Sequence, residues 1–303
     1  MLLDSDTNVC YVSKLLANET RGLELIDEIL QAGVSVELLE DTRDIWARDY
    51  MPIQISDDKF IGYEFTPDYL YYDDYIRTIT SQARVCDRHD IDTIPSGLII
   101  DGGNVVKTSK GVIMVDKVFH ENDHFSKVGL VDRLERYFEC EIIFLPWDKV
   151  EIFGHADGIV REISPGKVLM TNYHQHSKRF AERYLKILSQ HFEVEVLGYD
   201  VKHPHPNNWC YINFLRVGNK ILVPQLTDRR RVRQMQASDS YPSSYTINST
   251  EVEEDNQAIE QIKRHCPNCE IIPVSCPQIV AKDGALNCIS WTIKRSIGSE
   301  LIL

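Results

Sequence analysis

Apolar residues recur along this chain in two rhythms that take turns. In "RGLELIDEILQAG" they fall at helical spacing up to Gly33, a C-terminal stop signal. "VSVELLE" then reads as a strand, and the polar motif "DTRDIWARDY" follows it. "MPIQI" and "KFIGYEF", separated by "SDD", read as a hairpin. The same order returns. "DDYIRTITSQARVCDRH" is predicted helical, and "LIIDGGNVVKTSKGVIMVDKV" is a motif running into a hairpin. "FSKVGLVDRLERYFE", "CEIIFLP" and "FGHADGIVREISPGKVLMTNY" repeat helix, strand, motif and hairpin, with Pro-Gly at the turn. "KRFAERYLKILSQHF", "EVEVLGY" and "NWCYINFLRVGNKILVPQL" do so again. "EEDNQAIEQIKRH", "EIIPV" and "IVAKDGALNCISWTIKR" close the chain.

One such unit cannot bury its own apolar face, so neighbouring units must share a core. Five of them in a ring predict a closed α/β propeller, with helices outside and equivalent loops facing one central mouth. No Pro/Gly/Ser linker divides the sequence, which favours one domain over 1–303 rather than a two-domain α/β protein.

The equivalent loops carry Asp49, Asp101, His155 with Asp157, Asn213 and Cys288, at intervals of 52, 54, 58 and 75 residues. The segment from Thr227 to Thr250 lengthens the last interval. Core packing gives no reason to place Asp, Asp, His and Cys at one repeated position. A Cys near a His is a nucleophile with an acid/base partner. Carboxylates at the same mouth make an anionic pocket, and a planar guanidinium suits them because its N–H groups bind in bidentate fashion. The set points to attack on a guanidinium carbon. Within "FGHADG", an extended backbone would aim His155 and Asp157 at the same space.

Composition narrows the field. Hydrophobic residues make up 43% and charged residues 26%, as in ordinary soluble globular proteins. A net charge of -13 argues against nucleic-acid binding and favours cationic small molecules. No apolar run is long enough to span a membrane, and "MLLDSDTNVC" lacks a signal-peptide layout, so a cytoplasmic setting is expected. The eight Cys are then expected as thiols. Cys266 and Cys269 in "HCPNC" lack a second ligand pair for zinc and read as a loop. "HQH" at 174–176 and "HPH" at 203–205 read as solvated loop histidines.

Taken in order, the motifs resemble the guanidino-modifying, or pentein, superfamily, in its branch of agmatine deiminases and bacterial peptidylarginine deiminases. "WARDYMP", "DGGN", "FGHADG", "CYINFLRVGNKILVPQL" and "GALNCIS" carry the resemblance, from about Val34 to Ile293. It implies the five-fold pseudosymmetric pentein propeller and a cofactor-free, metal-free hydrolase that converts a guanidine to a ureido product and ammonia. By the same resemblance Cys288 is the nucleophile and His155 the general acid/base. Asp101 orients the His, Asp49 and Asp157 grip the guanidinium, and Asn213 is a polar group on the substrate side.

The implied partner is a small guanidino compound, with neither nucleic acid nor membrane, and with room for a homodimer. Departures stand at Tyr50 and Met51, where the branch has Thr-Gly, and at Asn287, where it has His before the nucleophile. An amidinotransferase and a silent binder of cationic ligands are the other readings. For the substrate's far end, Trp46, Trp209 and the acidic, Tyr-rich "PDYLYYDDY" at 67–75 suit an amine. Arg229, Arg230, Arg231 and Arg233 would suit a carboxylate. The amine is the preferred expectation, with Asp73 and Asp74 as its anchors.

Overall fold

A computed structural model describes residues 1–72, 74–228 and 249–296. Its strands in chain order are β1 (Val9–Ser13), β2 (Ser35–Leu39), β3 (Ile53–Ser56), β4 (Lys59–Glu64) and β5 (Thr93–Ile99). They continue with β6 (Val106–Thr108), β7 (Gly111–Val115), β8 (Ile142–Leu145), β9 (Val160–Ser164) and β10 (Lys167–Met170). The last are β11 (Glu193–Val196), β12 (Leu215–Val217), β13 (Lys220–Gln225), β14 (Glu270–Ser275) and β15 (Ser290–Ile293). Among the described residues these form five three-stranded sheets: β15-β1-β2, β3-β4-β5, β6-β7-β8, β9-β10-β11 and β12-β13-β14. The architecture is the five-fold pseudosymmetric α/β propeller.

Every sheet is built alike, an antiparallel pair with a third strand added in parallel. A parallel neighbour requires a crossover, and a helix supplies it. The crossover helices are α1 (Gly22–Gln31), α3 (Gln82–Arg88), α5 (Lys127–Phe138), α6 (Lys178–Leu188) and α7 (Ser249–His265). A short helix, α2 (Ala47–Tyr50), lies between β2 and β3. The Pro-Gly of the β9–β10 hairpin turns as its composition requires, with Gly166 at φ +76°. Three clusters of buried apolar side chains fill the space between sheets and helices.

The structure departs from the sequence pattern in two places. β1 has no counterpart in the fivefold reading, because its five residues are all buried and show neither alternation nor helical spacing. This strand closes the ring, since β15 from the other end of the chain pairs with it. The helix expected over residues 73–89 begins only at Gln82. Ahead of it stand the β-branched Ile76, Thr78, Ile79 and Thr80, and the Thr80 hydroxyl accepts a hydrogen bond from the Arg43 amide at 2.9 Å.

The topology explains why chemistry collects at one place. Each motif joins the third strand of one sheet to the first strand of the next, so all five links converge on the centre of the ring. The N-terminal turn Asp4–Asp6 ties two sheets together. Asp4 lies 3.3 Å from Lys107 of β6 and 2.6 Å from Arg161 of β9. Burial opposes its charge, but these cations hold its carboxyl well below the ordinary range. Among the described residues no helix is long and apolar enough to cross a membrane.

Candidate active site

Asp49 lies on α2, and its neighbours fix it tightly. The Gly103 amide donates to Asp49 Oδ1 at 3.1 Å, and the Tyr63 hydroxyl donates to the Asp49 carbonyl at 2.7 Å. Asp101 follows β5 and opens the turn Gly102–Asn104. His155 precedes the turn Ala156–Gly158. The stretch is therefore not extended as expected. His155 has extended backbone, but Asp157 sits inside a 3-10 turn, so alternation along a strand is not what pairs them. Asn213 follows the turn Asn208–Tyr211, and Cys288 stands in the turn before β15.

These residues meet. Asn213 Oδ1 accepts from both the Cys288 amide and the Cys288 thiol, each at 3.3 Å. The Asn287 amide donates to the Asn213 carbonyl at 3.1 Å, and the Arg48 amide to the Cys288 carbonyl at 3.0 Å. Asn213 thus touches the thiol itself. Asn287, the departure before the nucleophile, donates through Nδ2 to Asp157 Oδ2 at 2.6 Å. His155 Nε2 lies 3.1 Å from Asp101 Oδ2, and its Nδ1 lies 3.7 Å from Asp49 Oδ1. Among the described residues nothing donates to Asp49 Oδ2 or Asp157 Oδ1, and buried Asp101 Oδ1 has no hydrogen bond.

Three carboxylates in a buried space set the electrostatics. Burial opposes the His155 charge, but Asp49, Asp101 and Asp157 outweigh it and raise its pKa to about 10. Burial drives Asp49 up to about 7; His155 counters this, while Asp101 and Asp157 add to it. Cys288 is pushed well above the ordinary thiol range by burial first, then by Asp157 and Asp49. The site therefore holds a neutral thiol beside an imidazolium. That single positive charge stands against three carboxylates, so the field at the thiol stays negative.

His155, Asp157 and Cys288 form one end of a cavity of about 540 Å³, walled by Trp147, Phe153, Phe180 and Trp209 among others. Asp49 and Asp101 flank His155 at this end, and Asp49 lies near enough to Cys288 to act on its thiol. Trp46 does not line the cavity. Its ring packs so closely over Gly284 that no side chain would fit there, which braces the loop leading to Cys288.

Among its described residues the "PDYLYYDDY" stretch reaches the site through an aromatic ring, while Asp68 and Asp74 pair elsewhere. Tyr69 packs edge-on to Phe153 at 5.0 Å and to His155 at 6.2 Å. Asp68 pairs with Lys117 at 2.8 Å. Asp74 pairs with Arg77 at 2.5 Å in solvent. Asp73 and the arginines at 229–233 lie outside the described residues. His176, expected as a loop histidine only, lines the cavity. The sequence pattern also passes over Tyr63 and Asp148, because neither lies in a repeated motif.

A family profile described as Porphyromonas-type peptidyl-arginine deiminase matches residues 9–293. A Vibrio parahaemolyticus protein provisionally named agmatine deiminase is 25% identical over 281 residues, which is 82% of this chain and 75% of that one. The solved C. jejuni agmatine deiminase superposes with a TM-score of 0.68 at 16% identity, over 98% of this chain and 96% of that one. DDAH from Pseudomonas aeruginosa does so with a TM-score of 0.55 at 11% identity, over 95% of this chain and 99% of that one. At such identities the structural likeness speaks for the fold, the pentein propeller. With fold, motif order and profile in agreement, the chain belongs to the Porphyromonas-type peptidyl-arginine deiminase family, hydrolases of the C–N bonds of linear amidines.

Proposed function

We propose that this protein is a guanidine deiminase working through a covalent adduct on Cys288. The observation that carries the reading is the shared cavity end. A thiol, a charged imidazole and a carboxylate face one space, with two more carboxylates behind the imidazole. The guanidinium supplies a second positive charge. Asp157 and Asp49 grip it through the oxygens left without donors. Its arrival reverses the field around Cys288, so the thiol loses its proton to solvent and the thiolate attacks the central carbon. His155 gives its proton to the departing nitrogen, which leaves as ammonia, and a thiouronium remains. Neutral His155 then takes a proton from water and hydroxide adds to the same carbon; the C–S bond breaks as the hydroxyl proton passes to the sulfur, which restores the thiol and releases the ureido product.

Incubation with agmatine, arginine, methylated arginines and arginyl peptides, without any acceptor amine, tests this. Ureido product with an equivalent of ammonia is expected from at least one of them. Product that appears only when an amine acceptor is added would make the protein an amidinotransferase instead.

The pH dependence follows from Asp49. Its grip requires the carboxylate, and its pKa of about 7 means that it gains a proton as pH falls. His155, at about 10, stays charged across neutral pH and adds no acid limb. The value of kcat/KM should therefore lose about a further tenfold per unit below the Asp49 pKa of about 7, on top of the slope set by the Cys288 thiol, which must also lose its proton. A profile that gains no such extra slope down to about pH 5 would contradict the role given to Asp49.

A further inference from the structure

The cavity is larger than a guanidinium and a short tail require. Sites of roughly 300–1,000 Å³ bury drug-sized ligands, and this one measures about 540 Å³. Part of its wall is built from Trp147, Asp148, Tyr173, Phe180 and Tyr184, on the β8–β9 link and around α6. Asp148 is 9% exposed. The Tyr173 hydroxyl donates to its Oδ2 at 3.2 Å and the Val150 amide to its Oδ1 at 3.3 Å. Among the described residues no lysine or arginine pairs with it. A buried carboxylate without a counter-charge is costly, and it is uncommon unless something cationic completes it. Trp147 already carries Lys117 and Lys149 near its ring, and Phe180 carries Arg179 and Arg183, so the rings of Tyr173 and Tyr184 are the faces left to attract an alkylammonium.

Other charges on the wall agree. Glu151 is committed to its own loop, accepting from the Phe153 amide at 2.8 Å and the Gly154 amide at 2.6 Å. Asp283 is exposed at the rim, five residues before the nucleophile, and pairs with no described residue. Burial lowers the His176 pKa, with Asp148 opposing, so this imidazole is neutral near pH 7. Arg179 is the one guanidinium on the wall, and it is exposed beside the Phe180 ring. The cavity wall thus carries both the proposed guanidinium clamp and a second anionic, aromatic group of side chains from other links of the chain.

We infer that the cavity selects guanidines with a polyammonium tail longer than that of agmatine, and that Asp148 holds the distal ammonium. The inference rests on the deiminase reading for its kinetic test but not for its binding test. The probe is agmatine extended on its amine by an aminopropyl arm, compared with agmatine and arginine. In wild type the extended compound should show the highest kcat/KM, by about tenfold, through a lower KM. In Asp148→Asn, which keeps the shape and one of the two acceptor oxygens, the ratio of extended compound to agmatine should collapse by about the same factor. Calorimetry with spermidine, a tail without the guanidine, should show binding to wild type that weakens about tenfold in Asp148→Asn.

A preference for agmatine or arginine in wild type overturns the inference. So does spermidine binding that is absent in wild type or equal in the two proteins. If no guanidine yields a ureido product while spermidine discriminates between the two proteins, the deiminase reading fails and the subsite stands.

Discussion

Replacing Cys288 with alanine is expected to lower turnover of any guanidine substrate by about 10⁵-fold or more, the scale on which loss of a covalent nucleophile acts. Binding should survive. In the proposed mechanism Asp49 and Asp157 hold the guanidinium, and neither depends on sulfur for its position: the Gly103 amide fixes Asp49, and Asn287 fixes Asp157. The truncation frees Asn213 Oδ1 of the thiol but leaves it the backbone amide of residue 288. The expected result is thus a dead enzyme whose Kd for substrate, read by calorimetry, stays within a few-fold of wild type. Intact-mass measurements on wild type, quenched during turnover, should show the adduct on Cys288. An adduct on another of the eight Cys, or turnover persisting in the alanine variant, would remove the assignment.

The other thiols make this a sharp test. Burial pushes Cys10, Cys86, Cys266 and Cys276 up to about 12, so they stay protonated at neutral pH. Cys288 is raised as well, but it alone lines the cavity. What separates it from the rest is the cation that its neighbours are arranged to receive. A reactive thiol in the empty protein is not expected; reactivity arrives with the substrate.

The ring could be read from the sequence because each of its units repeats a helix and short strands at readable spacing. The motif positions could be read because the same topology delivers each of them to the centre. β1 escaped because it is buried on both faces and shows no alternation, and unlike the equally buried β7 it has no flanking motif and hairpin turn to mark it. The tail region escaped for a different reason. Asp148, Tyr173 and Phe180 come from separate links over one sheet, and nothing in their sequence neighbourhoods marks them as partners. Chemistry repeated by the fold is legible at one position per unit. Chemistry assembled once, across loops, has no period to betray it. The acidic run at 67–75 shows the converse: a conspicuous composition whose charges serve Lys117 and Arg77 while a tyrosine reaches the site.

Gly103→Ala carries the second large effect, although it removes no functional group. A Cβ on residue 103 would lie 2.7 Å from both Asp49 Oδ1 and His155 Nδ1, the two atoms that face each other at 3.7 Å. Neither side chain has freedom to yield. Asp101 holds the opposite edge of the imidazole, and Asp49 sits on a helix closed over by Tyr63. The methyl must part the pair or shift the turn that bears Asp101. A displacement of this kind, on the order of an ångström, costs about 10²-fold in rate when reacting groups lose alignment. Overpacking alone should remove about 1–3 kcal/mol of stability. Steady-state kinetics and thermal melts separate the two effects, and Gly198→Ala serves as the control because a Cβ there meets nothing within 4 Å. A Gly103→Ala protein with wild-type kcat/KM would mean that the contact between Asp49 and His155 has no part in the reaction.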